Sequence, residues 1–130
     1  MPRPNWIDDT TSIPDAASLW RGVVPTEIRP LASGADRPSL GSLVTQELSV
    51  SIGSETTTAA VIAKGAKTGV TWRLWEFTAG DARRAGCIVD RDRLPDDPAH
   101  AVVLRKERPG ASRITESQAK KLITAGRWVP

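Results

Sequence analysis

The chain has 130 residues, 39% apolar and 25% charged, with a formal net charge of +3. That length suits one domain with a core of moderate size, and apolar runs such as AAVIA at 59–63 fall far short of the roughly 20 residues that span a bilayer. A single cysteine, Cys87, and a single histidine, His100, cannot supply the about four ligands of a structural zinc site or an internal disulfide, so no metal and no cystine bridge is expected.

Residues 1–15 hold Pro2, Pro4 and Pro14 among polar side chains and read as an irregular arm, with Trp6 and Ile7 able to dock on a single domain over 16–130. The segment has no apolar stretch behind its basic residue, so no secretory signal is expected and a cytoplasmic location follows. SLWRGVV at 18–24, closed by Pro25, suits a strand. Pro25, Pro30, Gly34 and Pro38 then predict a series of turns. In ELSVSIG at 47–53, Leu48, Val50 and Ile52 alternate with Ser49 and Ser51, the period of a strand with one buried face.

Ser54 is placed to cap a helix over ETTTAAVIAK, with Gly65 at its left-handed end. Residues 69–86 allow two readings. As one helix, the stripe of Val70, Leu74 and Phe77 is interrupted by Thr78 and Asp81; as a strand over 70–78 followed by a helical turn capped by Asp81 and ended at Gly86, the β-branched and aromatic residues fall where strands favour them. The second is preferred. CIVD at 87–90 and HAVVLRK at 100–106 predict an antiparallel pair joined by the Pro95 and Pro98 loop. Thr115 and Gln118 have capping-box spacing ahead of a helix whose face is Ala119, Leu122, Ile123 and Gly126, and Trp128 and Val129 follow it. The expected fold is α+β: a small single domain with a largely antiparallel sheet packed against two or three helices.

Charge is uneven, with five Lys/Arg against seven Asp/Glu in residues 1–65 and thirteen against eight in 66–130. The basic half suggests nucleic acid, but its arginines alternate with acids in DRDR at 90–93 and RKERP at 105–109, a pattern of solvated surface rather than of a phosphate-binding patch. GAKT at 65–68 imitates the end of a phosphate loop, yet Ala66 separates Gly65 from Lys67, and Ala60 stands where a first glycine would be counted from Gly65. DRDRLPDD has the aspartate spacing of a calcium loop but puts Pro95 where glycine must turn the chain.

A scattered constellation remains: Arg21 on a strand, Arg37 and Ser39 in a DRPS turn, Ser49 and Ser51 on one strand face, and His100 opening another strand. Brought together, they would form an anion site, with a guanidinium fork, hydroxyl donors and an imidazole able to carry a proton as the candidate catalytic group. Dispersed, Arg37 and Ser39 shape a turn, the serines face solvent, and His100 bonds a loop carbonyl or Asp97. Cys87, at the start of an apolar strand, reads as a buried side chain. The tryptophans read mostly as core and edge filling, with Trp6, Trp20 and Trp128 offering a candidate partner patch.

The order LWRGVVPTEIRP, DRPS, LSVSIG, AGDARRAG, LPDDPAHAVV and a final Trp-Val resembles a group of short bacterial proteins that share it across about residues 17–130 and have no established activity. The resemblance implies signature positions at Arg21, Arg37, Pro38, Ser39, Ser49, Val50 and His100; LRKERPG after the histidine strand departs from the glycine-containing turn of that pattern. Three functions are compatible with these residues. The first is a non-enzymatic interaction or accessory module that binds another protein. The second is an enzyme or sensor that binds a small anionic or nucleotide ligand through Arg21, Arg37, Ser39, Ser49 and His100, by analogy with compact NAD-handling folds. The third is a nucleic-acid binder using the basic C-terminal half. No cofactor and no membrane association is expected, and enzymatic activity is left open.

Overall fold

The alternating segments of the sequence become strands in the structure, a computed structural model that describes residues 5–31, 33–92 and 94–130. In chain order these are β1 (Ser18–Val23), β2 (Ile28–Pro30), β3 (Asp36–Pro38), β4 (Leu48–Ile52), helix α1 (Thr58–Lys67), β5 (Arg73–Thr78), α2 (Ala79–Arg84), β6 (Cys87–Arg91), β7 (His100–Arg105), α3 (Glu116–Ala125) and β8 (Arg127–Trp128). Six strands form one antiparallel sheet in the order β6-β7-β4-β1-β5-β8, and β2 with β3 makes a separate ribbon. The domain is α+β with the antiparallel sheet expected of it, and no helix among the described residues is long and apolar enough to cross a membrane.

The pleat sorts side chains onto two faces. Leu19, Phe77, Leu48, Val50, Ile52, Val89 and Val103 share one with Ala82 of α2 and Ala119 and Leu122 of α3 in a single buried cluster. The other face carries Trp20, Ser51 and His100, which are successive neighbours across β1, β4 and β7, and beyond them a small apolar group of Ile88, Val102 and Leu104.

Helix boundaries correct three of the expected caps. The N-cap of α1 is Thr57, whose hydroxyl accepts from Ala60 N, rather than Ser54. Gly65 lies inside this helix and is buried; the left-handed glycine is Gly69, at φ 83°. For α2 the cap is Thr78, which exchanges hydrogen bonds with Asp81 in a capping box, so Asp81 is the third helical residue and not the cap. The two N-cap differences have one cause: where several hydroxyl or carboxylate residues precede a helix, spacing alone does not say which is still extended. At α3 the Thr115–Gln118 capping box forms as read.

The arm expected over 1–15 extends beyond the described residues at 1–4. From residue 5 it has no helix or strand, but it is docked. Ile7 N donates to Asp90 Oδ2 and Asp9 N to the Val89 carbonyl, so the arm lines the outer edge of β6. Arg83 pins it through Asp8, Asp15 and the Ile13 carbonyl at 2.8–2.9 Å. Trp6 packs on the Ile88 group as expected, Ile7 is exposed, and the anchor is Ile13, which is fully buried. A lone isoleucine before a proline gave no periodic pattern to mark it.

Candidate functional site

The side of the sheet away from the main core is roofed in part by α1, and the space between them is a cleft of about 380 Å³. Its geometry begins with glycine. A Cβ at Gly22 of β1 would lie 2.3 Å from Cδ2 of Trp72, and one at Gly65 of α1 2.8 Å from the same atom. The indole is therefore wedged between strand and helix at positions where only hydrogen fits, and it props α1 off the sheet. Trp20 leans in the same way on Gly53, and its Nε1 donates to Glu76 at 2.7 Å.

Val61 and Lys64 of α1, with Thr68 just past its end, line this space at i, i+3 and i+7. Lys64 Nζ donates to Ser51 Oγ at 3.2 Å and to Asp97 at 2.6 Å, which ties the roof to β4 and to the turn before β7. His100 stands opposite Ser51 in the β4–β7 register. Its Nδ1 lies 2.9 Å from the Asp92 carbonyl oxygen and 3.4 Å from the Asp92 carboxylate. A carbonyl can only accept, so Nδ1 carries the hydrogen and the lone pair of the neutral ring is on Nε2. The expected alternatives for His100 thus separate: it bonds a loop carbonyl, while Asp97 goes to Lys64.

Arg21 closes the cleft at its inner end. The β1–β4 ladder is confined to Leu19↔Ile52 and Trp20↔Ser51, and where it stops the Arg21 guanidinium donates to the carbonyls of Ser49 at 3.3 Å and Ser42 at 3.2 Å. Its Nε is buried with no partner among the described residues. Burial is the chief influence on its pKa and lowers it, with the charge of Glu27 opposing that in part. Charge in such a place is stabilised only by groups that complete its hydrogen bonding.

Arg21, Ser49, Ser51 and His100 all line one concavity; alternation along β1 puts the Arg21 side chain on the Leu19 and Val23 face, and it borders the cleft where the β1–β4 ladder has stopped. Arg37 and Ser39 do not line it. Arg37 is exposed on the β2–β3 ribbon, and Ser39 caps the turn at 40–42, its Oγ accepting from Ser42 N. Since Ser42 in turn accepts from Arg21, the DRPS segment supports the cleft from behind. Trp6, Trp20 and Trp128 occupy three separate places: Trp6 beside β6 and β7, Trp20 in the cleft, and Trp128 on the opposite edge strand, edge-on to Trp75 at 4.9 Å and covered by Arg73. Cys87 is buried, and burial pushes its thiol up to about 11, so it is held as an unreactive thiol at neutral pH.

Lys64, Asp97 and Trp72 were not singled out as site residues from the sequence. Lys64 had a signal, the Val61-Lys64-Thr68 spacing, which was hidden once Gly65 was read as the end of the helix. Trp72 had none, because its place depends on two glycines 43 positions apart in the chain, Gly22 and Gly65. No family model, no curated protein and no solved structure matches the chain.

Proposed function

We propose that this protein binds a small anionic ligand in the cleft between β1, β4, β7 and α1. The observation that carries the reading is Arg21: a residue lining the concavity whose guanidinium is bonded only to backbone carbonyls, with one N–H unanswered among the described residues. Ser49, Ser51, Lys64 and His100 add donors and an acceptor along the same wall. The volume falls in the range of small-molecule sites. Of the positions that the resemblance singles out, Arg21, Ser49, Val50 and His100 line the cleft, and Arg37, Pro38 and Ser39 do not. Two other readings have less behind them. The tryptophans of the candidate partner patch lie apart, and arginines of the basic half are engaged by acids, Arg83 by Asp8, Arg91 by Glu55 and Arg127 by Glu76.

A thermal-shift panel of phosphate, nucleotides, NAD and small carboxylates tests this. At ligand about a hundredfold above Kd the native state gains about 2.7 kcal/mol, a rise of several degrees. The rise should disappear in Arg21→Gln and shrink in Lys64→Met. A panel that leaves the wild type unmoved at millimolar concentration overturns the reading.

A further inference from the structure

The cleft's polar groups do more than attract an anion; they define its charge and one further group it must carry. Arg21 and Lys64 bring two positive charges to the lining and Asp97 one negative charge. Lys64 and Asp97 are joined at 2.6 Å, and no carboxylate is bonded to Arg21 among the described residues; Glu27 acts on it through its charge but does not line the cleft, so the lining itself keeps one positive charge in surplus. A ligand with a single negative charge matches that surplus without disturbing the Lys64–Asp97 pair. A dianion would have to draw Lys64 away from Asp97 and leave a carboxylate that is mostly out of solvent without its partner.

His100 adds the second requirement. Because Nδ1–H is held by the Asp92 carbonyl, Nε2 of the neutral ring is an acceptor, and it has no partner among the described residues. An anion presenting only oxygens would leave that lone pair unanswered, whereas a hydroxyl or amino hydrogen would satisfy it. Val61 and the edges of Trp20 and Trp72 supply an apolar wall for the remainder of the molecule.

We infer that the ligand is a monoanion that also carries a hydrogen-bond donor and an apolar body, the chemistry of a 2-hydroxy acid with an aromatic or branched side chain. This rests on the anion-site reading and narrows it. Arg21 meets the carboxylate, His100 Nε2 accepts from the hydroxyl, and the Lys64–Asp97 pair stays closed.

Three probes sharing one phenyl ring separate the terms: mandelate (monoanion with hydroxyl), phenylacetate (monoanion without it) and phenyl phosphate (dianion above neutral pH), each titrated calorimetrically into the full chain at mildly alkaline pH. Mandelate should bind about five- to tenfold more tightly than phenylacetate, the worth of one added hydrogen bond. His100→Asn keeps an N–H for the Asp92 carbonyl but removes the Nε2 lone pair, and should erase that difference while phenylacetate binding persists. Asp97→Asn releases Lys64 and should turn the preference toward phenyl phosphate. Equal binding of mandelate and phenylacetate, or tighter binding of phenyl phosphate by the wild type, overturns the inference and leaves the anion site standing. If none of the three binds and the wider panel of phosphate, nucleotides and NAD is also silent, both readings fall.

Discussion

The two faces of the main sheet are built from the same strands by opposite rules. On one, Leu19, Leu48, Phe77 and Leu122 are buried to 1% exposure or less and meet one another directly. On the other, a tryptophan held between two glycines keeps α1 at a distance, and the space between holds Ser51 and His100 of the sheet and Lys64 of the helix. One face is filled; the other is propped open and lined with groups whose hydrogen bonding is incomplete. Stability belongs to the first, where area removed from water is the main favourable term. Specific chemistry belongs to the second, where strand-end and helix side chains converge without closing on themselves.

The contrast can be broken first from the filled side. Phe77→Ala empties a fully enclosed site and should cost about 3–5 kcal/mol in urea unfolding; Cys87, in the same cluster and held as a thiol by burial, should then label with a thiol reagent at denaturant concentrations where the wild type does not. A loss under about 1 kcal/mol would mean that this face is not the tightly packed one. Next comes the prop. Gly22→Ala places a methyl 2.3 Å from the Trp72 ring and should cost about 1–3 kcal/mol as an overpacking defect, with altered tryptophan fluorescence and loss of the ligand-induced thermal shift. Unchanged fluorescence and unchanged ligand response would show that the wedge does not set the cleft. The smallest effect is expected from Lys64→Met. Its ion pair with Asp97 is partly solvated, at 35% and 16% side-chain exposure, so unfolding free energy should move by less than about 1 kcal/mol even though ligand binding weakens. A large stability loss there would make the polar face a structural one.

The residues that read clearly in the sequence are those whose information is local. Leu48-Val50-Ile52 against Ser49-Ser51 sets a two-faced strand wherever it pairs, and the Thr115–Gln118 box starts a helix whatever that helix packs on. Arg21, Ser49 and His100 could be proposed as partners because each carries the chemistry an anion site needs, and they do line one cleft. Arg37 and Ser39 carry equal chemistry and lie outside it, because the β2–β3 ribbon is a separate pair held through Asp36 to Arg73 and Trp128 at the β5–β8 edge of the main sheet. Lys64 was lost to a glycine read as a helix end when its hydrogen atom was needed for close approach to Trp72.

Period and capping chemistry, carried within about ten residues of chain, marked by themselves β1, β4, β6, β7 and α3, while β2 and β3 lie where only turns were expected and β8 gave no strand pattern. Sheet order was decided only in three dimensions, since setting β7 beside β4 and β4 beside β1 joins segments about fifty and thirty residues apart, and contacts at that separation leave no periodic trace in the chain. That order places His100 opposite Ser51 and beneath Lys64. It also stops the β1–β4 ladder at Trp20, where the Arg21 guanidinium fills the opening.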